Sequence, residues 1–213
     1  MKSLFFLLFL LFARVAFAQE AALPIPLPET GIKAAYLSAG RYPGLKIGIE
    51  RPFKVFQVDK VKSWGVKTLL KERYLTANLG YYHHPTYHDH LFVLVERQKR
   101  RQRASGWFTE TAPGIGFSHT FLGEETYEVS NQGSVKKLNV AGHSYALLSF
   151  SAGLGYNLAV KGNEPMKVYG KASFLTTFPD NAFIGIRPTV EVGIVFTPKS
   201  FWAANPNLKH LTK

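Results

Sequence analysis

Four histidines lie within the short segment 83–90, and this density suggests metal chemistry. Imidazoles that are held close together can bind zinc or copper. The spacing follows no familiar ligand motif, and the alternative is an aromatic belt that the first two histidines share with neighbouring tyrosines. We therefore predict no bound metal and no other cofactor. The candidate ligands are His83, His84, His88 and His90.

Charged residues recur at alternate positions of otherwise apolar segments. Because successive side chains of a strand point to opposite faces, these charges share the face opposite to the apolar residues. Buried charges need partners, so we predict an ion-pair network that fills the interior of a closed sheet without leaving a pore. A proton or ion path, or a pair of catalytic carboxylates, is the alternative. The set comprises Lys46, Glu50, Glu96, Glu110, Lys167, Lys171, Arg187 and Glu191.

Two serine–histidine neighbours offer a nucleophile beside a base, Ser118–His119 and His143–Ser144. Adjacent residues of a strand point to opposite faces, so neither pair can share a proton within its own strand. The sequence therefore predicts no catalytic residues. An outer-membrane lipid-modifying enzyme, of hydrolase or acyltransferase type, remains the alternative function.

A run of positive charges covers residues 97–103. By the alternation of the strand, Arg97, Lys99, Arg101 and Arg103 point outward, just past an apolar stretch. We expect them to contact lipid head groups at the rim of a membrane protein, although a solvated strand end is the simpler alternative. The formal net charge of +12 would also suit nucleic acid. The export that the N-terminal segment predicts and the lack of interleaved aromatic residues argue against that partner.

The chain begins with the features of a secretory signal peptide. Lys2 precedes an unbroken apolar run over residues 4–12, and Ala16 and Ala18 form a small-x-small cleavage site. The run is too short to cross a membrane as a helix, so we expect residues 1–18 to be removed. A proline-rich leader, 19–30, follows. The absence of cysteine suits passage through an oxidising periplasm.

Beyond the leader, apolar residues alternate with small or charged ones, which predicts strands rather than helices. Antiparallel neighbours and an even strand number would allow the sheet to close. We therefore predict an all-β fold over residues 31–197, a single antiparallel up-and-down transmembrane β-barrel with a polar filled lumen, and a tail, 198–213. The eight predicted strands are 31–39, 44–56, 66–83, 88–102, 107–121, 144–158, 166–178 and 183–196.

The alternative fold is a secreted soluble β-sandwich, in which the polar face would point to water. Glycines on the polar face favour the barrel, because they weaken an exposed strand but make room inside a narrow barrel. Aromatic residues near strand ends fit interfacial girdles: Tyr81, Trp107, Phe121, Tyr156, Phe178, Phe183 and Phe196. Pro113 and Pro188 argue against it, since each must mark a bulge or remove a ladder hydrogen bond.

The segment 122–143 is the longest predicted connection. If the last strand ends in the periplasm, this loop lies outside the cell, where it would contact any extracellular partner of a monomeric barrel. Its middle predicts a hairpin, with residues 127–129 and 135–138 as the arms and glycine and asparagine at the turn.

Three glycine-rich segments also resemble a known group of proteins: Gly80-Tyr81-Tyr82-His83-His84, the stretch from Gly114 to Leu122, and Gly153-Leu154-Gly155-Tyr156. The chain resembles the small, largely uncharacterised outer-membrane β-barrel proteins common in Bacteroidetes-type genomes. The resemblance covers most of the chain after the leader. It implies a location in the outer membrane of a Gram-negative bacterium and a barrel fold far more than it implies any particular activity. The tail departs from the usual ending on an aromatic residue.

Overall fold

The computed structural model describes residues 28–40, 42–62, 65–84, 88–123, 126–129, 134–138, 141–162, 164–180, 183–198 and 207–212. The predicted signal peptide and nearly all of the leader lie outside the described residues. Within these described residues, eleven strands and one short 3-10 helix, Leu158–Val160, make up the regular structure. The strands are β1 (Gly31–Ala39), β2 (Tyr42–Lys62), β3 (Gly65–His84), β4 (His88–Arg103), β5 (Trp107–Leu122), β6 (Thr126–Val129), β7 (Val135–Leu138), β8 (Gly142–Asn157), β9 (Met166–Asp180), β10 (Phe183–Phe196) and β11 (Asn207–Thr212).

Eight of these strands form a closed ring. The order is β1-β10-β9-β8-β5-β4-β3-β2, and β1 also pairs with β2, so the sheet has no open edge along that stretch. All of these pairings are antiparallel. The predicted all-β, eight-stranded up-and-down barrel is confirmed, and the two-sheet sandwich alternative is wrong.

The strands of the ring are staggered. The register can be followed from Ile32 on β1 strand by strand round the ring to Ile186 on β10. The direct β10 partner of Ile32 is Phe196, ten residues further along the strand. A stagger of this size over eight strands tilts them by about 40° to the barrel axis and leaves an interior that side chains can fill.

Burial alternates along each strand, as the period-two pattern predicts. From His90 to Arg103, every second residue of β4 is buried, and the residues between them are half-buried or exposed. Apolar side chains with a large exposed fraction surround the ring, among them Ile47 at 57%, Phe117 at 55% and Val192 at 63%. Most of the buried polar and charged side chains of the strands lie on the opposite, inward face. Inside, Gly80 and Gly155 leave space that the rings of Phe92 and Phe108 occupy.

Neither Pro113 nor Pro188 marks a bulge. The β4–β5 ladder lacks the pairs of Pro113 and Ala112 with Arg97 and Gln98, and it keeps its register on both sides. Pro188 lies one residue beyond Thr189, where the pairing of β10 with β1 ends. The irregularity of β2 lies elsewhere, between Pro52 and Lys54, and was not predicted.

Four elements of the described chain lie outside the ring, namely the strands β6, β7 and β11 and the 3-10 helix. The strands β6 and β7 form the predicted hairpin within the long connection. The 3-10 helix caps the short connection from β8 to β9, where the Asn157 side chain accepts a hydrogen bond from the Ala159 N–H at 3.1 Å. The segment predicted as a tail contains β11, which pairs in parallel with residues 54–59 of β2. No helix in the described part of the chain is long and apolar enough to span a membrane.

Candidate functional site

The interior is organised around Arg100, a fully buried arginine on β4. Its two terminal nitrogens donate to the two carboxylate oxygens of Glu50, at 3.0 and 2.9 Å. Its Nε donates to Glu110 at 2.9 Å. The rings of Tyr74 and Phe108 each lie 4.6 Å from the guanidinium carbon. A bidentate pair between two aromatic faces fixes this cation in a single orientation.

Three lysines extend the network around Arg100. Lys171 pairs with Glu110 at 2.8 Å, and Lys167 lies 3.6 Å from Glu50. Lys46 on β2 pairs with Glu191 on β10, over the strand β1 that lies between them. The structure therefore brings together six of the eight charged residues that the alternation predicts for the interior.

The two other interior carboxylates are held mainly by neutral donors. Glu96 accepts a hydrogen bond from the Asn78 side chain at 2.9 Å. The Tyr74 hydroxyl donates to Glu72 at 2.7 Å, and this carboxylate also lies 4.0 Å from Arg100. Buried charges of this kind are tolerable because the remaining lone pairs have partners.

A fifth interior cation, Lys33 on β1, differs from the rest. Its Nζ has no hydrogen-bond partner among the described residues, and it lies 5.0 Å from the centre of the Tyr169 ring. With it, the described interior contains five buried cations and five buried carboxylates. These are Lys33, Lys46, Arg100, Lys167, Lys171, Glu50, Glu72, Glu96, Glu110 and Glu191.

Arg187 lies apart from this network, near the end of the barrel that carries β6 and β7. It donates to the Tyr82 hydroxyl and lies 3.3 Å from Nδ1 of His90. Within the described residues it is not brought to any of the interior carboxylates. It borders a cavity of about 300 Å³ that Tyr42, Tyr82, His84 and His88 also line.

The four candidate metal ligands are divided between two faces. His83 is exposed and pairs with Asp89. The rings of His84 and His88 lie 5.1 Å apart at the mouth of the barrel. His90 is buried inside, stacked 4.6 Å from the Tyr82 ring, so this tyrosine does not belong to an outer belt. The described residues contain no group of three or more His, Cys, Asp or Glu side chains that could hold a metal ion.

The four basic residues of β4 predicted to face outward, Arg97, Lys99, Arg101 and Arg103, are exposed on the outer face. The register brings further cations beside them, because Arg73 of β3 lies opposite Lys99, and Lys71 lies opposite Arg101.

A serine and a histidine from different strands meet on the outer face. His119 of β5 lies opposite Ser144 of β8, and Nδ1 of the ring is 2.9 Å from the serine hydroxyl. The other ring nitrogen, Nε2, has no hydrogen-bond partner within the described residues. The two residues are 25 positions apart in sequence, so inspection of neighbours within a strand does not reveal the pair.

The sequence analysis missed Arg100, Glu72 and Lys33 as interior residues, although a signal was present. Arg100 shares the parity of Glu96 on β4, and Glu72 shares the parity of Thr76 and Asn78 on β3, all of which are buried. Lys33 follows the alternation of β1. Extending the parity of each strand to its charged end would have identified all three.

Comparison with solved structures gives a likeness to a known β-barrel domain. The chain is similar to the crystal structure of the N-terminal β-barrel domain of Pseudomonas aeruginosa OprF, with 14% identity and a TM-score of 0.41. The match covers 78% of this chain and 96% of the other. No family model matches the sequence, and no curated protein matches it.

Proposed function

We propose that this protein is an integral barrel of the outer membrane of a Gram-negative bacterium, without a continuous pore, that acts through its external loop. The observation that carries the proposal is the inversion of polarity. Many large apolar side chains of the ring face outward, whereas five cations and five carboxylates are buried inside. An outward apolar face would be a liability in water but is the surface that a lipid bilayer requires.

The ionic interior argues for a closed barrel. The side chains around Arg100 connect β2, β4, β5 and β9 through hydrogen bonds and ion pairs of 2.8 to 3.6 Å. Over the whole described interior, five buried cations face five buried carboxylates, which leaves no single-sign lining of the kind that selects ions. We therefore favour a structural plug over a proton or ion path.

The long connection supports a binding role outside the cell. Its hairpin of β6 and β7 is paired from Thr126–Leu138 to Val129–Val135. The backbone register sets Glu128 opposite Lys136. Such an arm can present a defined surface to an extracellular partner, which is where we expect recognition.

Membrane insertion can be tested with two exposed valines. Val192 lies on the outward face of β10 and Val135 on the hairpin, with exposed fractions of 63% and 64%. Val192→Arg should weaken folding into lipid vesicles by about 2–4 kcal/mol, while Val135→Arg should have no effect. Heat-modifiable gel mobility and cell fractionation report insertion. Equal behaviour of the two variants, or wild-type protein in the soluble fraction, would sink the proposal.

The external position of the loop can be tested separately. An epitope tag inserted after Asn131 should be reached by antibody on intact cells while barrel assembly survives. A tag inserted after Ala104, in the short turn between β4 and β5, should become accessible only after the outer membrane is permeabilised. The reverse pattern would invert the proposed topology.

The contact between His119 and Ser144 favours a second candidate, a lipid acyl hydrolase. The histidine Nδ1 would accept the proton of the serine hydroxyl as Oγ attacks an ester carbonyl of a lipid. The lipid alcohol would leave with that proton, and water would then release the fatty acid from the acyl-serine. We rank this function second because no described residue orients Nε2 of the ring.

Lipid A and phospholipid acylation patterns test this second candidate. Cells producing wild-type protein should show deacylated lipid, whereas Ser144→Ala should abolish the change. Ser134→Ala, at an exposed serine of the external loop, serves as the matched control. An unchanged lipid profile with folded wild-type protein would rule out the hydrolase.

A further inference from the structure

Seven exposed or half-exposed cations form a continuous patch on the outer face of β2, β3 and β4. The register places them on adjoining rows at the end of the barrel where the chain leaves β4. We call this patch the basic strip: Arg51, Lys71, Arg73, Arg97, Lys99, Arg101 and Arg103.

The basic strip lacks compensating acids. None of the outward-facing described residues of β2, β3 and β4 at this end is Asp or Glu, nor is any on the adjoining part of β5. Two like-charged pairs even lie directly opposite each other, Arg73 with Lys99 and Lys71 with Arg101. Like charges in this position destabilise a sheet unless anions lie between them. An anionic partner from outside the chain would offset this repulsion.

Aromatic and apolar neighbours show which kind of anion fits. The guanidinium carbon of Arg97 lies 5.9 Å from the Phe53 ring centre, and that of Arg73 lies 5.6 Å from the Phe56 ring centre. On β4 the strip continues directly into exposed Val95 and Val93. A ligand on this surface meets cations at one end and apolar side chains at the other, as a lipid with an acidic head group would.

The height of the strip also agrees with a head-group position. Arg103 and Trp107 flank the turn between β4 and β5, and the Trp107 ring is 53% exposed. It packs edge-on against Tyr156 of β8, with ring centres 5.4 Å apart. Tryptophan and tyrosine favour the boundary between acyl chains and head groups.

We infer that the basic strip binds phospholipids with a net negative head group from the periplasmic leaflet. The inference rests on the proposed membrane insertion and topology. The acyl chains lie against Val93, Val95 and the neighbouring apolar strands. The phosphate lies between the paired cations of β3 and β4 and removes their repulsion.

Native mass spectrometry of the protein in a nonionic detergent tests this inference. Phosphatidylglycerol should be retained at least about tenfold better than phosphatidylcholine with the same acyl chains, since each cation contributes to attraction. Lys99→Gln/Arg101→Gln/Arg103→Gln should lose this preference. The control Lys136→Gln/Lys137→Gln/Lys161→Gln removes the same charge from exposed positions elsewhere and should keep it.

Several outcomes would overturn the inference. Equal retention of the two lipids, an unchanged preference in the strip variant, or an equal loss in the control would each do so. Displacement of the lipid by inorganic phosphate would assign the strip to free anions instead. Folding into phosphatidylcholine vesicles, followed by heat-modifiable mobility, is measured in parallel. Failure there counts against membrane insertion, whereas folding without lipid preference counts against the strip alone.

Discussion

The two ends of the barrel interior are filled in opposite ways. Towards the turn between β4 and β5, the interior contains the ion pairs around Arg100. Towards the end with β6 and β7, the interior contains a cluster of buried apolar and aromatic side chains, beside Arg187 and His90. The cluster comprises Leu37, Ala39, Tyr82, Phe92, Leu94, Leu147 and Leu175. The polar interior predicted from the alternation therefore occupies only part of the barrel.

The ionic part and the apolar part of the barrel interior should respond differently to substitution. In the ionic part, carboxylates share cations, so the loss of one side chain leaves others without a partner. In the apolar part, the loss of a side chain costs its transfer free energy and the cavity that remains. In the ionic part, the loss of stability should grow with the number of charges left without a partner. In the apolar part, it should grow with the volume of the cavity.

The largest effect is expected for Arg100→Met. The substitution keeps much of the volume but leaves Glu50 and Glu110 without their strongest partner, so the free energy of unfolding should fall by about 5 kcal/mol. Lys161→Met, at an exposed position outside the barrel interior, should change it by less than about 0.5 kcal/mol. Urea unfolding of the protein folded in detergent micelles measures both. Similar midpoints for the two variants would contradict the inward assignment of Arg100.

A double substitution sharpens this result. If Glu50 is destabilising only because its partner is missing, Arg100→Met/Glu50→Gln should be more stable than the sum of the single changes predicts. Additive effects would mean that the bidentate contact contributes little to the network.

The next effect compares two residues of β10. Glu191→Leu leaves the buried ammonium group of Lys46 without its carboxylate and should cost about 3–5 kcal/mol. Ile194→Leu keeps an apolar side chain on the outward face and should be nearly neutral. Equal unfolding midpoints in detergent would place both side chains in the same environment, against the structure.

A third comparison concerns the apolar part. Leu147 is 1% exposed inside the barrel, whereas its neighbour Leu148 is 57% exposed on the outer face. Leu147→Ala should lower the free energy of unfolding by about 3 kcal/mol because of the cavity, and Leu148→Ala by clearly less. The same unfolding experiment measures both. A larger loss for Leu148 would mean that the interior of this part is loosely packed.

The strands themselves could be predicted well from the sequence, because alternation is a local signal. The predicted strand 107–121 corresponds to Trp107–Leu122, and 183–196 to Phe183–Phe196. The predicted strand 44–56 is too short, because β2 continues to Lys62. An irregularity between Pro52 and Lys54 shifts the alternation there and weakens the signal. The strand β11 was missed because its parallel pairing with β2 depends on distant residues.

Contacts across the ring could not be predicted in the same way. Alternation says that Arg187 faces inward, but its distance from the carboxylates follows from the ten-residue stagger between β1 and β10. The contact between His119 and Ser144 depends on the register of β5 with β8. Both depend on how the strands pair in the closed sheet, so the periodicity of a single strand cannot predict them.

The smallest effect should be that of salt on the ionic part. Raising the ionic strength from 0.1 M to 1 M shortens the screening length from about 10 Å to about 3 Å. Because Arg100 and its partners Glu50 and Glu110 are buried, the ions cannot enter between them. The decrease in the free energy of unfolding caused by Arg100→Met should therefore differ by less than about 0.5 kcal/mol between the two salt concentrations. The exposed Lys136→Gln variant provides the contrast, since any contribution of this residue should disappear at high salt. A strongly salt-dependent loss for Arg100→Met would mean that water and ions reach the interior, and the barrel would then contain an open aqueous path.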